Sequence, residues 1–123
     1  SIPLPPTIGH IMNIFVFGSN LAGRHGKGAA LFAIQNHGAI YNQGYGLQGR
    51  SFAIPTKDYK LKTLPLIIIY KYIRDFIDFA NKHPEYTFNL TRIGCGLAGY
   101  QDSDIAPMFI DAPKNVIKPT EWN

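Results

Sequence analysis

Residues 13–28 read NIFVFGSNLAGRHGKG, and this stretch decides the fold class. Segment 13–17 is rich in β-branched and aromatic residues, which is the composition of a buried strand, and Gly18 ends it. Residues 29–37 follow as a predicted helix, which Gly38 closes as the left-handed residue after the last turn. A strand, a glycine-rich loop and a helix in this order indicate an α/β protein.

The same kinds of element alternate along the rest of the chain. We predict strands at 51–55, 86–93 and 115–117, helices at 64–83 and 102–110, and a loop at 42–50. Pro55 is expected to stop its strand, and Thr63 is expected to cap the helix that begins at Leu64. Strands that alternate with helices predict a mainly parallel central sheet covered on both faces, which is a three-layer α/β/α sandwich.

Apolar spacing also predicts which side of each helix is buried. In the long helix, apolar side chains recur at helical spacing on one face. They are Ile69, Ile73, Phe76, Ile77 and Ala80. In the short helix, the predicted inner side carries Ile105, Met108 and Phe109.

Length and composition indicate one domain. The 123 residues are enough for one hydrophobic core and too few for two. Residues 1–11 contain three prolines and precede Met12, a candidate start, so we interpret 1–11 as an artificial or upstream remnant and 12–123 as the domain. The segment 1–11 lacks the order of a signal peptide. The longest apolar run, 64–70, is far shorter than a membrane span, so we expect no membrane partner.

Charge and cysteine content limit the classes of ligand and compartment. The formal net charge is +4, which favours anionic ligands and also permits weak binding to nucleic acid. The single cysteine, Cys95, excludes an internal disulfide and suits a reducing compartment such as the cytoplasm. The four histidines are scattered without metal-ligand spacing, so neither a metal nor a cofactor is expected.

A second glycine-rich stretch, residues 92–100, reads RIGCGLAGY. It has the form of a strand end, a turn and the start of a helix near Asp102. Glycines let the backbone approach a ligand, and a helix N-terminus directs free N–H groups toward an anion. Because the loop at 18–28 has the same form, we expect two phosphate-binding loops with a diphosphate between them.

Two common nucleotide motifs are nevertheless rejected. Residues 94–99 formally match the dinucleotide fingerprint G-x-G-x-x-G, but only 24 residues remain for the helix, strand and acidic residue that the fingerprint needs. Residues 23–29 resemble a P-loop only in a glycine–lysine pair. Cys95 is interpreted as a small residue packed under its loop, with a nucleophile as the alternative.

Three ordered segments resemble the macrodomains, the ADP-ribose-binding fold. Residues 26–31, GKGAAL, look like the macrodomain segment G-x-G-I-A-x, and Ser19-Asn20 stands where macrodomains place an asparagine. Residues 52–57, FAIPTK, and 92–97, RIGCGL, are similar to the branch with the terminal ADP-ribose glutamate hydrolases and the DNA ADP-ribosylation antitoxins. Order and approximate spacing agree across residues 13–117.

The resemblance implies ADP-ribose lying across the strand ends, with loop 18–28 facing the distal ribose and loop 94–100 wrapping the diphosphate. In the hydrolases of this branch, a lysine forms a covalent adduct with the ribose, and Lys57 matches that position. Asn20 would orient the ribose. Ala98 stands where the branch has an assisting aspartate, and an early strand with an adenine-contacting aspartate has no counterpart here.

The candidate catalytic residues are therefore Lys57 and Asn20. The residues expected to bind the ligand are Gly18, Ser19, Asn20, Leu21, Arg24, His25, Gly26, Lys27, Gly28, Gln48, Arg50, Thr56, Gly94, Cys95, Gly96, Leu97, Ala98, Gly99 and Tyr100. Plainer interpretations stay open: a solvated turn lysine at 57, a turn-capping asparagine at 20, surface charges at 24, 25 and 50, and a tyrosine at 100 that seals a helix start.

Three functional hypotheses follow. The first is binding of ADP-ribose or a related NAD-derived nucleotide, with hydrolysis of ADP-ribose from a modified protein or nucleic acid as its enzymatic form. The second is a pure binding module, which agrees better with Ala98. The third is a nucleic-acid-binding protein that grips backbone phosphates. The oligomeric state is left open.

Overall fold

The computed structural model describes residues 12–123, so the interpretation of residues 1–11 lies outside the described part. The strands are β1 Met12–Asn20, β2 Gly46–Gln48, β3 Ser51–Lys57, β4 Tyr86–Leu90 and β5 Val116–Ile117. The helices are α1 Gly28–His37, α2 Leu66–Lys82 and α3 Asp102–Ile105. Two 3₁₀ turns, Ala106–Phe109 and Thr120–Trp122, complete the described elements.

The strands form one mixed sheet in the order β2-β3-β1-β4-β5. Strand β1 is central and pairs in parallel with both β3 and β4, and β5 extends the parallel part beside β4. Only β2 is antiparallel, at the outer edge beside β3. The predicted α/β class and mainly parallel sheet are confirmed.

Alternation along β1 directs side chains to two separate hydrophobic clusters. Ile14 and Val16 are fully buried with the α2 face in the larger cluster. Phe17 points to the opposite side, where it packs with Ala30 and Ala33 of α1 in a smaller cluster. Because successive strand residues face opposite sides, one strand supports helices on both faces of the sheet.

The helices begin and end for local reasons. Gly38 adopts φ +72 after α1, the left-handed geometry expected of it. In α2, the five predicted core positions are the ones that are buried. The predicted cap is wrong: Pro65 occupies the N-cap and α2 begins at Leu66, while the Thr63 hydroxyl donates to the Ala98 carbonyl over 2.8 Å.

Other element boundaries also differ from the predictions. Strand β3 continues through Pro55 to Lys57, because β2 pairs only as far as Ala53 and the chain beyond has no β2 partner on that side. Strand β2 lies inside the predicted loop. Helix α3 is only four residues long, since Pro107 lacks the N–H needed to continue an α-helix and a 3₁₀ turn follows.

Strand β4 ends at Leu90, three residues earlier than predicted. Thr91 then donates both its backbone N–H and its hydroxyl to the Val16 carbonyl, over 3.1 and 2.7 Å. This contact turns the chain away from the sheet and into the glycine loop. Among residues 12–123, no helix has the length and apolar character needed to cross a membrane.

Candidate functional site

A cleft of about 620 Å³ opens at the carboxyl ends of β1, β3 and β4. From β1 the chain crosses to β3 on one side, whereas from β4 it continues to β5 on the other side. Ligands of open α/β sheets bind in crevices at such a change of direction. At Gly18, an added Cβ would lie 3.6 Å from the Gly94 nitrogen, so the two glycine loops meet here.

The structure brings together most of the predicted site residues. Those that line the cleft are Gly18, Ser19, Asn20, Arg24, Gly26, Lys27, Gly28, Thr56, Lys57, Gly94, Gly96, Leu97 and Ala98. They come from three strand ends that are separated by more than 30 residues in sequence, and the parallel sheet places them along one edge.

The N-terminus of α1 opens into this cleft. Its first intrahelical bond joins the Leu31 N–H to the Lys27 carbonyl, so the N–H groups of Gly28, Ala29 and Ala30 precede the helical ladder, and all three residues line the cleft. Among residues 12–123, no side chain caps the helix, and its first turn contains no acidic residue. Free N–H groups and the positive end of the helix dipole therefore favour an anion here.

The second glycine loop is closed by its own hydrogen bonds. The Tyr100 N–H donates to the Gly94 carbonyl over 2.8 Å, and the Gly99 N–H donates to the Gly96 carbonyl over 3.0 Å. Gly94 and Gly99 have φ of +76 and +87, which glycine adopts without steric cost. Gly96, Leu97 and Ala98 are left along the cleft wall, and in the described part their N–H groups make no backbone hydrogen bond.

The start of α3 does not line the cleft. The helix is four residues long, and the Asp104 carboxylate already accepts the Gln101 N–H over 3.0 Å in a capping box. A carboxylate at this position offsets the dipole and repels a second anion. Of the two helix starts proposed to bind phosphate, only that of α1 is open to a ligand.

Asn20 lines the cleft but uses its amide to shape the loop. Its Oδ1 accepts the Arg24 N–H and its Nδ2 donates to the Arg24 carbonyl, each over 2.9 Å. This pair closes the turn that leads toward α1. This contact supports the interpretation of Asn20 as a turn-capping residue. It leaves one amide N–H of Asn20 for a ligand.

Lys57, at the end of β3, is half-buried and lines the cleft. Its carbonyl accepts the Leu21 N–H over 2.9 Å, which ties the ends of β3 and β1 together. In the described part of the chain, its ammonium group has neither an ion pair nor a hydrogen bond to a side chain. The group is therefore available to a ligand.

The charges at the cleft have one sign. Arg24, Lys27, Lys57 and Arg92 line it, and among the described residues neither an aspartate nor a glutamate does. Arg92 is held by a bidentate ion pair in which Nε and Nη2 donate to Asp102 over 2.9 and 2.7 Å. The other three cations form no ion pair within residues 12–123. Such a set favours a dianion over a neutral or cationic ligand.

Asp102 anchors the loop that carries Arg92. Its Oδ1 also accepts the indole N–H of Trp122 over 2.6 Å. The Arg92 guanidinium, followed by the Trp122 donor, lowers the pKa of this carboxyl from 3.8 to about 2. Burial, followed by a hydrogen bond to Asp102, raises the pKa of the neighbouring Cys95 thiol from 9.0 to about 11. A protonated thiol supports the interpretation of Cys95 as a packing residue.

Several predicted binding residues lie outside the cleft wall. These are Leu21, His25, Gln48, Arg50, Cys95, Gly99 and Tyr100. Arg50 immediately precedes β3 and so lies at the amino end of the strand, away from the cleft. Tyr100 donates its hydroxyl to the Leu64 carbonyl over 2.6 Å and thus seals the start of α2 rather than facing the cleft.

His25 and Gln48 are buried structural residues. His25 is 1% exposed, and its Nε2 lies 2.9 Å from the Gln43 carbonyl and 3.3 Å from Gln48 Oε1. Gln48 Oε1 also accepts the Ile40 N–H over 2.8 Å. Together they hold the segment between α1 and β3, because each satisfies polar groups that the fold buries.

Sequence reasoning missed part of the cleft wall. The missed residues are Ala29, Ala30, Tyr41, Leu61, Thr91, Arg92 and Ile93. Arg92 and Ile93 are the first two residues of the motif at 92–100, so taking the whole motif as ligand-binding would have included them. Tyr41 and Leu61 lie in loops without motif or periodicity, and no local signal identifies them.

Within residues 12–123, no group of three or more histidine, cysteine, aspartate or glutamate side chains is placed to hold a metal ion. A scan against protein-family models found no family that matches this chain. Comparisons with curated proteins and with solved structures found no match either. The macrodomain resemblance therefore stays a prediction from the three sequence segments.

Proposed function

We propose that the cleft binds ADP-ribose or a closely related diphosphate nucleotide. One observation carries the proposal: three cations without an ion pair among the described residues, Arg24, Lys27 and Lys57, and an uncapped helix N-terminus line a cleft that no described carboxylate lines. A phosphate group satisfies both features at once, since it accepts N–H groups and carries negative charge.

The arrangement of anion-binding groups supports a diphosphate rather than a single phosphate. The α1 start and the wall formed by residues 96–98 come from opposite sides of the cleft, and Gly18 and Gly94 leave the floor between them without side chains. The volume of about 620 Å³ is within the range of pockets that enclose ligands of nucleotide size. The three sequence segments that resemble macrodomains contribute to this same cleft.

Calorimetric titration with ADP-ribose tests the proposal, with AMP as the comparator. We expect micromolar affinity for ADP-ribose and weaker binding of AMP, which has a single phosphate. Arg24→Gln should weaken ADP-ribose binding by about tenfold, because a charge-assisted contact to phosphate is lost. Lys114→Gln removes an exposed cation remote from the cleft and should change nothing. Absence of heat with folded protein would exclude the proposed ligand.

The position of Lys57 supports a second candidate function, hydrolysis of an ADP-ribosyl bond. Lys57 lines the cleft, and its ammonium group has no partner in the described part of the chain; nucleophilic attack would further require loss of its proton. However, Ala98 and the absence of a described lining carboxylate leave no acidic group to assist as general acid or base. Binding without turnover is therefore the function we favour.

A matched pair of lysine variants separates the two functions. If the protein is a hydrolase, Lys57→Ala abolishes turnover of an ADP-ribosylated substrate, whereas Lys60→Ala, on the same turn but outside the cleft wall, leaves it intact. For the binding function we expect no turnover by the unmodified protein and a loss of affinity of about tenfold or less in Lys57→Ala. Turnover that survives in Lys57→Ala would exclude the lysine mechanism.

A further inference from the structure

The cleft presents apolar side chains as well as cations. Tyr41, Leu61 and Leu97 all line it, and they are 53%, 43% and 67% exposed. Single exposed apolar residues are normal on a surface, but three that converge on one cleft indicate a ligand that covers them. Which part of the ligand these three side chains contact depends on where they lie relative to the cations.

Tyr41 lies on the α1 side of the cleft. Its ring is 6.4 Å from the ring of His25, in an edge-on arrangement. The next residue, Asn42, donates its N–H to the Gly23 carbonyl over 2.8 Å. These contacts place Tyr41 beside the loop that leads into α1, where an aromatic face can stack on a base.

Leu61 and Leu97 lie on the other side, near the start of α2. Thr63 pairs with Lys57 in an isolated bridge, and its hydroxyl bonds to the Ala98 carbonyl over 2.8 Å. The turn that carries Leu61 is thus tied to the loop that carries Leu97. Tyr41 therefore lies on the α1 side of the cleft and the leucine pair on the α2 side, where Lys57 also lines the wall.

The backbone holds Leu61 in this position against a steric preference. Its φ is +64, in the left-handed region that a leucine rarely adopts. The Asp58 carboxylate accepts the N–H groups of Lys60 and Lys62 over 2.8 and 2.9 Å, and the Asp58 carbonyl accepts that of Leu61 over 3.0 Å. Strain that a hydrogen-bonded turn maintains beside a cleft is typical of a functional position.

We propose that the ligand of this cleft carries a planar ring at both ends of its diphosphate, with a neutral ring between Leu61 and Leu97. The inference rests on the proposed function and narrows it, because free ADP-ribose has a ring base at only one end. The ring at the leucine end is neutral because Lys57, four residues before Leu61, also lines the cleft and no described carboxylate lines it.

Three commercial ligands test this directly. ADP-ribose, NAD⁺ and NADH share the same diphosphate core; the two dinucleotides add a nicotinamide ring, cationic in NAD⁺ and neutral in NADH. We expect NADH to bind about tenfold more tightly than ADP-ribose, the factor that burying roughly 60 Å² of apolar surface contributes. NAD⁺ should bind more weakly than NADH.

An asparagine substitution at Leu61 supplies the variant. Leu61→Asn preserves the left-handed backbone, which asparagine tolerates, and removes the apolar contact. This variant should reduce the affinity for NADH to that for ADP-ribose, and leave the affinity for ADP-ribose within about twofold. Ile110→Asn, at a position 82% exposed and outside this cleft, is the control and should change neither.

The outcomes distinguish this inference from the proposed function. If ADP-ribose binds but NADH binds no more tightly, or if Leu61→Asn weakens the binding of both ligands equally, the second ring site is overturned and the proposed function stands. If NAD⁺ binds as tightly as NADH, the inference that the leucine pair selects a neutral nicotinamide ring is overturned. If none of the three ligands binds to folded protein, the proposed function fails together with the inference.

Discussion

Glycines at the cleft differ in what a side chain would meet. At Gly94, φ is +76 and an added Cβ would lie 3.1 Å from Ile105 Cδ1. At Gly96, two residues later, φ is unexceptional and a Cβ would meet no heavy atom within 4 Å. Both residues line the cleft. The backbone conformation at position 94 therefore requires glycine. At position 96 the protein has room for a side chain, and only a bound ligand would exclude it.

Valine at these two positions should separate folding from binding. Gly96→Val should leave the thermal midpoint nearly unchanged and weaken ADP-ribose binding by more than about tenfold, because the side chain occupies ligand space. Gly94→Val should destabilise the protein by about 2 kcal/mol through backbone strain. Thermal unfolding and calorimetry measure the two effects. Normal ligand affinity in a folded Gly96→Val protein would contradict the proposed position of the ligand.

The start of α1 is the element on which anion binding depends most. Lys27 occupies the N-cap with extended backbone, φ −148 and ψ 159, and its side chain caps nothing. Lysine is a poor residue for this position, since it neither accepts an N–H nor favours the positive end of the dipole. The uncapped start is thus unfavourable for stability and favourable for binding an anion.

Lys27→Asp should reverse this balance. The carboxylate would cap α1 and raise the free energy of unfolding by about 1 kcal/mol, while repelling the ligand and lowering its affinity by more than about tenfold. Lys27→Ser, which caps without charge, should stabilise similarly and weaken binding less. Denaturant unfolding and calorimetry provide the measurements. A Lys27→Asp protein that binds ADP-ribose normally would show that the helix start does not contact phosphate.

The loop after β4 is held to the end of the chain by an acidic residue. Asp102 pairs with Arg92 and Trp122, and its pKa of about 2 lies below the ordinary 3.8. A depressed carboxyl pKa stabilises the folded state above pH 3.8, and this contribution is lost as the pH falls through about 2. Acid should therefore loosen this loop and the Arg92 contact together.

Asp102→Asn should reduce the dependence of the free energy of unfolding on pH at acidic pH. Between pH 4 and pH 2, the variant should lose less stability than the unmodified protein, because asparagine does not titrate. Trp122 is the single tryptophan, so its fluorescence reports the contact directly. Asp75→Asn, at an exposed residue without an ion pair among the described residues, is the control. Parallel stability curves for Asp102→Asn and the unmodified protein would contradict the assignment.

At the scale of the whole molecule, charge is divided along the chain. Residues 12–57 contain four basic residues, Arg24, Lys27, Arg50 and Lys57, and neither aspartate nor glutamate. Residues 58–123 contain the other eight basic residues and all eight acidic ones. The net charge of +4 therefore comes from residues 12–57, the segment that contains β1, α1, β2 and β3 and the loops that join them. Three of these four cations line the cleft, so the field attracts anions to it.

Salt dependence distinguishes a pocket ligand from a nucleic-acid backbone. For ADP-ribose, we expect affinity to fall by no more than about tenfold between about 50 and about 200 mM salt, because few charges are neutralised. A protein that grips a nucleic acid through many phosphates would lose about a thousandfold or more over this range. Tight, steeply salt-dependent binding of an oligonucleotide that ADP-ribose does not displace would favour the nucleic-acid hypothesis.

Local sequence patterns were sufficient to predict a helix or strand wherever the pattern was long or strongly periodic. The buried face of α2, the presence of β1 and the end of α1 at Gly38 follow from side-chain spacing and glycine geometry, which neighbouring residues specify. The predicted end of β1 at Gly18 is wrong, because the strand continues to Asn20 through its pairing with β3. Elements that depend on a partner were missed or misplaced. Strand β2 has three residues and exists through its pairing with β3, and β3 continues past Pro55 because its pairing with β2 reaches only Ala53.

By itself, the sequence determined the α/β class, the order of the main elements and the two glycine loops, because composition and periodicity encode these locally. Only the tertiary structure decided which residues converge. It joined Tyr41, Leu61 and Arg92 to the cleft, placed Arg50 at the opposite end of its strand, and buried His25. The physical reason is that convergence depends on strand order and on long-range hydrogen bonds between loops, neither of which local spacing encodes.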